Sequence, residues 1–274
     1  MNRFSHISSA TFTDKGLVRG NNEDAVFSLH QDGVFGVSDG MGGGDAGELA
    51  SAWIVEETEK SLSETADESP GLRLAAIHDA LDHANTRIRS YAKEHNYQMM
   101  GATFALLAFN PWDSATAHVV HVGDSRIYRL RDGVLERLTA DHTVGADIER
   151  ISGPDAVPGG IGSRLSHVLT RAIGTADIVD PEMARVSVES NDMFLVCTDG
   201  VPTMLDDARL QELVRQSASP DDVVRRLSDA VRAAGAVDNY SIVVCAVGGS
   251  LPATERHAED EVRESAYLEE RWGK

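Results

Sequence analysis

Cysteine is almost absent. The 274 residues contain two, Cys197 and Cys245, and no Cys-x-x-Cys pair, so neither a zinc framework nor a disulfide framework is built here. Both lie in apolar, strand-like runs and read as reduced core thiols. Long apolar runs are also missing. Stretches such as "FALLAF" fall far short of the ~20 residues that a spanning helix needs, and the opening "MNRFSHISSATF" lacks the apolar core of a signal peptide. Positive charge is scarce: 25 Lys and Arg stand against 44 Asp and Glu, a net charge of −19. That imbalance argues against nucleic acid and anionic membrane surfaces as partners. It does not exclude a phosphorylated substrate, because a bound cation reverses the local sign. Several catalytic signatures are lacking as well. There is no Gly-x-Ser-x-Gly elbow for a serine nucleophile, no His-Glu-x-x-His, and no Gly-Lys-Ser/Thr ending to a phosphate loop. A soluble cytoplasmic protein is expected.

What is present is an ordered series of periodic segments. Strand patterns occupy 25–29 and 34–37, joined by the turn Gln31-Asp32-Gly33. A helix is expected from about Asp45 to Leu62. A second, from Gly71 to His95, carries Ile77, Leu81, Ala84, Ile88 and Tyr91 on one stripe. Strands return at 102–109, 115–122, 126–130 and 134–138, the last two joined by Asp132-Gly133. From 139 to 167 the pattern fades, and "SGPDAVPGGIGS" reads as an exposed excursion. Strands at 184–188 and 193–197 are followed by two helices. The second of these has Ser219 as N-cap, Pro220 in the first turn, and Asp221 and Asp222 against the helix dipole. Its apolar stripe is Val223, Val224, Leu227, Ala230, Val231 and Ala234. A strand at 241–247 closes the pattern, and residues 250–274 form an acidic tail. Strands come in hairpin-linked groups rather than alternating with helices, which predicts antiparallel sheets with helices on their outer faces. "GMGGGDAG" is therefore a poor dinucleotide fingerprint, because the βαβ context is missing.

Four acids stand out by position. Asp39 ends "VFGVSDG", Asp124 ends "HVVHVGDS", Asp199 ends "MFLVCTDG", and Asp238 precedes the last strand in "AVDNYSIVVC". Each lies at the edge of an apolar strand, where an unpartnered carboxylate is strongly disfavoured. Gathered at one sheet edge they would repel one another unless cations lay between them, and oxygen-only ligands suit hard ions such as Mg²⁺ or Mn²⁺. Each alone can equally be a turn or cap residue. Near the N-terminus, "VRGNNEDAVF" sets Arg19 just before Glu23 and Asp24. Beside a metal cluster its guanidinium fork matches two phosphate oxygens, and the two acids can orient waters around the ions. His118 and His121, flanked by valines, read as surface or core residues rather than ligands.

Eight stretches, "RGNNEDAVF", "GVSDGMGGGDAGELAS", "GATFALL", "HVGDSRIYRLRDG", "LTADHT", "LTRAIG", "FLVCTDG" and "DNYSIVVC", occur in order over about residues 7–248. Together they resemble the metal-dependent protein serine/threonine phosphatases of type 2C, and "DGMGG" is similar to the bacterial branch. The resemblance implies an α+β fold, a four-layer αββα sandwich of two antiparallel sheets flanked by helices. It implies one phosphatase domain, residues 1–249, with a flap at about 143–168. It also implies Mn²⁺ or Mg²⁺, two ions with a looser third. Asp39 would bridge two of them, the Gly40 carbonyl would bind the first, and Asp199 and Asp238 would complete the second. Asp124 with Asp199 is similar to the residues that hold the third. Arg19 would grip the phosphate, and Glu23 and Asp24 match the acids of the outer shell. The implied reaction is hydrolysis of phosphoserine and phosphothreonine proteins by a water held between the ions, with no phosphoenzyme. The implied partner is a bacterial serine/threonine kinase and its substrates, and a monomer is expected. Three positions depart from the family pattern. Met41 stands where eukaryotic relatives have a histidine, Gly44 where bacterial members have another, and "GGIGSRLSHV" replaces the usual flap sequence. A phosphatase for small phosphoesters and an inactive binding module are the two alternatives.

Overall fold

The computed structural model describes residues 3–64, 70–153, 165 and 167–248. Of the excursion expected at 152–163, Ser152 and Gly153 end and cap a short helix, and the rest, like the tail at 250–274, lies outside the described residues. Two antiparallel sheets stack between two layers of helix. In one sheet the order is β1 (Ile7–Asp14), β11 (Tyr240–Val247), β10 (Met193–Cys197), β7 (Arg126–Arg131) and β8 (Val134–Arg137). In the other it is β2 (Asp24–Leu29), β3 (Val34–Gly42), β5 (Phe104–Phe109), β6 (Thr116–Val122) and β9 (Glu182–Ser187), with the short β4 (Met100–Ala102) on the end of β3. Helices α1 (Ala46–Glu64) and α2 (Pro70–His95) cover the second sheet. Helices α4 (Asp207–Arg215) and α5 (Pro220–Ala233) cover the first. A short α3 (Val144–Ser152) follows β8.

The middle strands are buried on both faces, so they read as continuous apolar runs rather than alternating ones. In β5, Phe104, Leu106 and Ala108 face α1 and α2, while Ala105, Leu107 and Phe109 face the opposite sheet. In β10, Phe194 and Val196 point between the sheets and Leu195 and Cys197 point to α4 and α5. Cys197 and Cys245 are fully buried free thiols. Burial pushes the Cys197 thiol up to about 12 and Cys245 well above its ordinary value, which makes both unreactive.

The helix stripes follow the periodicity. Ile77, Leu81, Ala84 and Ile88 are buried on α2, with Tyr91 packed at the edge of the same core. On α5, Val223, Val224, Leu227 and Val231 are buried, and Ser219 Oγ accepts the Asp222 amide at 3.2 Å. Ala234 falls outside that stripe and is exposed, since it is the C-cap rather than part of the helix. The Asp132-Gly133 hairpin has both residues at positive φ, 51° and 78°, the mirror-image turn that matches strand twist.

Two elements exceed the sequence reading. β1 is rich in Ser and Thr and half exposed, yet all its residues pair with β11 from Ile7↔Val247 to Asp14↔Tyr240. α3 is nine residues long, capped by Thr143, whose Oγ1 accepts the Ala146 amide at 3.2 Å. No helix of the described residues is long and apolar enough to cross a membrane.

Candidate active site

The end of β3 brings Asp39 opposite Asp24 of β2 in the strand register. The Asp39 backbone is clamped by the segment after β4. Its amide donates to Thr103 Oγ1 at 3.1 Å, and its carbonyl accepts the Thr103 amide at 2.8 Å. Ser38 Oγ donates to the Thr103 carbonyl at 2.7 Å. The other sheet contributes Asp199, just past β10, and Asp238, just before β11. Asp124 follows the β6 end through Gly123, whose φ of 104° sets the turn. The four acids singled out by position therefore converge, with Asp24 as a fifth: charges on Asp24, Asp199, Asp124 and Asp238 all act on Asp39.

The cluster is electrostatically strained. Burial, then repulsion from its acidic neighbours, raises the Asp39 carboxyl well above the carboxylate range. Asp124 goes up to about 7 for the same reasons, with Asp199 and Asp141 the main repelling charges. Burial and Asp238 raise Asp199, whose carboxyl is in hydrogen-bond contact with that of Asp39. Burial also lifts Asp24 to about 7, although Ser241 Oγ and Thr198 Oγ1 donate to its Oδ2 at 2.7 and 2.8 Å. Asp24 Oδ1 is buried and has no hydrogen-bond partner among the described residues. Yet Asp24, Asp39, Asp199 and Asp238 all keep part of their surface open to solvent. Acids crowded in a partly exposed cleft, repelling one another and leaving a buried oxygen unpaired, are a donor set that fits hard divalent cations.

Among the described residues, cations only partly offset it. Arg19 is half exposed and reaches one member, Asp238, with Nη2 to Oδ2 at 2.7 Å. Arg126, next to Asp124, is taken by Asp141 in a two-pronged bond of 2.9 and 2.6 Å. Asn239 ties the Arg19 loop to the cleft. Its Oδ1 accepts the Glu23 amide at 2.9 Å, and its Nδ2 donates to the carbonyls of Lys15 and Asn21 at 3.0 and 2.9 Å. Glu23 carries the loop onward: its carbonyl accepts the Gly40 amide at 3.0 Å and Ser51 Oγ at 2.6 Å. Thr103, Thr198, Ser241 and Asn239 were not singled out by sequence reasoning, although each sits inside a quoted stretch.

Gly40 is required by close approach. A Cβ there would lie 2.1 Å from the Gly47 carbonyl oxygen at the start of α1. Gly43 and Gly44 meet nothing within 4 Å and face open space. Gly40→Ala is expected to cost ~1–3 kcal/mol or more of stability, the usual penalty of overpacking, while Gly43→Ala should be near neutral. Urea midpoints of the two variants measure this, and equal midpoints would remove the close-approach account.

A second polar group sits beneath Asp124. His121, His142 and Glu182 bring one ligand-type atom each within 4.8 Å of the others. The hydrogen bonds argue against a metal there. The Gly123 amide donates to His142 Nδ1 at 3.2 Å, so that neutral ring carries its proton on Nε2, facing Glu182 Oε2 at 3.4 Å. His121 Nε2 donates to the Ala140 carbonyl at 2.8 Å, and its ring stacks on His142 at 4.5 Å. Burial brings His121 down to about 4, a neutral imidazole. This is a clasp that holds Gly123, closed by the His142 amide to the Gly123 carbonyl at 2.9 Å.

Two antiparallel sheets between helix layers, packed on an apolar core with a carboxylate cleft at one end, define an αββα sandwich. The chain belongs to the protein phosphatase 2C family, whose profile matches residues 18–236. It is 32% identical over 247 residues to the serine/threonine protein phosphatase PstP of Mycobacterium tuberculosis, an alignment covering 87% of this chain and 44% of that protein. The chain thus spans less than half the length of that relative. Among solved structures it is similar to PppA, a regulatory component of T6SS in Pseudomonas aeruginosa, with a TM-score of 0.78, 33% identity, and coverage of 89% and 99% of the two chains. It is also similar to the PstP catalytic domain in complex with two manganese ions, with a TM-score of 0.74, 30% identity, and coverage of 88% and 98%.

Proposed function

We propose that this protein is a Mn²⁺- or Mg²⁺-dependent serine/threonine protein phosphatase that hydrolyses phosphoserine and phosphothreonine. The observation that carries the reading is the cleft where Asp39, Asp124 and Asp199, their carboxyls raised, meet Asp238 and the unpaired Asp24 oxygen. The names of the relatives, and the two manganese ions in one of them, support it. In this reading Asp39, Asp199, Asp238 and the Gly40 carbonyl would hold two divalent cations, and Asp124 with Asp199 would hold a third. Bound cations would supply the positive charge that lets these acids ionise side by side and would lower the pKa of a water for attack on phosphorus.

The chain's own groups do the rest. Arg19 leaves Asp238 to place its planar fork on two phosphate oxygens, and the Asn239 bonds hold its loop at the cleft. Asp24, fixed through Oδ2 by Thr198 and Ser241 and opposite Asp39 in the strand register, would orient water beside the cluster. Glu23 sets the Gly40 backbone through its carbonyl. Met41 has no proton to give, so the departing serine or threonine oxygen takes its proton from another group of the cleft or from water. Residues 1–249 form the catalytic domain, with the flap at about 143–168. The protein acts as a cytoplasmic monomer and opposes a serine/threonine kinase.

The testing experiment is phosphate release from a phosphothreonine peptide after chelation, with and without Mn²⁺. Release only with metal is expected. None in either case, from folded protein, points to the binding-module reading, and release from small phosphoesters alone points to the small-molecule enzyme. Arg19→Ala should lower kcat/KM on the peptide by ~10²-fold, the usual loss of one aimed donor, and Arg19→Lys should recover part of it. Steady-state kinetics check this, and an unchanged kcat/KM takes the phosphate away from Arg19.

A further inference from the structure

A cavity of about 540 Å³ opens beside the cleft, between the α2–β4 connection and residues 167–175. Met41, Tyr97, Met99 and Met100 give it an apolar wall, while Arg171 and His167 give it a polar rim. In a chain of net charge −19, none of the lining residues among those described is acidic. Met99 and Val168 leave large parts of their side chains exposed, 59% and 46%. Arg171 has weak holds among the described residues, the Asp180 carboxylate at 3.4 Å and the Asp180 carbonyl at 3.5 Å.

The cavity is continuous with the acids through a stiff backbone. Met41 follows Asp39 by two residues on β3, a distance of ~7 Å along an extended strand. β4 pairs with that stretch, Met41↔Gly101, and its Ala102 exchanges backbone bonds with Ile173 at 3.0 and 2.9 Å. The outer wall is fixed as well. Tyr97 stacks on Tyr91 at 6.2 Å, and Tyr91 meets Trp53 edge-on at 5.0 Å.

We propose that this cavity is a docking subsite for the phosphorylated segment: it takes an aliphatic side chain two or three residues from the phosphorylated one, and Arg171 takes an acidic neighbour. This deepens, and rests on, the phosphatase reading of the adjacent cleft. An extended peptide with its phosphate at Asp39 covers the distance to Met41 in about two residues. Methionine walls adapt to aliphatic side chains of differing shape. The absence of acids and the loosely held arginine favour a carboxylate at the rim, in a protein whose surface otherwise repels one.

The test uses two phosphothreonine peptides that differ only in flanks, one with Leu two residues and Asp three residues to either side, the other with Ala and Ser at those places. The wild-type protein with Mn²⁺ is expected to prefer the first by about tenfold in kcat/KM. Met99→Asp and Arg171→Glu, both at exposed positions, should abolish the preference while p-nitrophenyl phosphate, too small to reach the cavity, is hydrolysed within about twofold of wild type. No preference in the wild type, a preference kept in both variants, or equal losses on p-nitrophenyl phosphate would overturn the subsite. If the wild type hydrolyses none of the three substrates, the phosphatase reading fails separately. The subsite is then read from fluorescence anisotropy with the same two peptides carrying a non-hydrolysable phosphonate. Discrimination lost in Arg171→Glu supports it, and equal binding of both peptides overturns it.

Discussion

Asp199→Ala is expected to lower Mn²⁺-dependent phosphate release by on the order of 10³-fold or more, at the upper end of what removal of one preorganised electrostatic group costs. The fold should survive. Asp199 lies past the end of β10, beyond the Met193–Cys197 ladder that joins β7 and β11. Its carboxyl is not part of the apolar core. In the metal-free protein it is repelled by Asp238 and held above its ordinary range by burial. Removing it relieves that repulsion, so the chelated variant should melt at or above the wild-type temperature. Loss of activity and gain of apo stability together distinguish a cation ligand from a structural residue, whose removal would lower both. Asp199→Asn keeps the shape and removes the charge, and it should behave like the alanine variant. A folded Asp199→Ala protein with activity near wild type would end the assignment of this acid to the cations.

The second large effect is the joint response of stability to metal and pH. Asp24 and Asp124 have carboxyls raised to about 7, and Asp39 and Asp199 are raised as well. A group whose folded value lies above its unfolded one keeps its proton in the folded state after the unfolded chain has lost it. Between ~4 and ~7 the folded protein therefore binds more protons, and stability falls as pH rises. Below the unfolded carboxylate value both states are protonated and these groups contribute no slope. The chelated protein should thus melt at progressively lower temperature from about pH 5 to about pH 7.5. Mn²⁺ reverses the trend. At a free concentration about a hundredfold above Kd it should add ~2.7 kcal/mol, a rise in Tm of ~5–10 °C for a chain of this size. The gain should shrink toward acid pH, where protons compete for the same oxygens. Thermal melts with and without chelator across that range give both results. A chelated protein whose Tm rises with pH over the window, or no shift with Mn²⁺ at pH 7.5, would mean that the acids are not a strained cation site.

The converging acids were legible because each breaks a local rule. One carboxylate at the end of "VFGV" or "MFLVC" can be a turn or cap residue, but four at apolar strand ends point to something that receives them together. The helix stripes of α2 and α5 were legible because their periodicity holds over many turns. β1 was not, since its Ser and Thr residues alternate on a half-exposed edge, and pairing with β11 alone makes it a strand. α3 was obscured by its length of nine residues and by the polar composition around it.

By itself the sequence determined the layering, which follows from apolar runs buried on two faces, and the identity of the acids at the strand ends, which follows from chemistry that few other positions would tolerate. Tertiary structure alone decided which groups complete the cleft. Asp24, read as an acid of the outer shell, is fixed opposite Asp39 by Thr198 and Ser241, 174 and 217 residues away, which donate to its Oδ2. Asn239 reaches across 216 residues to the Glu23 amide. Hydrogen bonds between single side chains so distant in the chain leave no period and no run in the sequence. They exist because the two sheets, once stacked on their shared apolar core, bring their strand ends to the same edge.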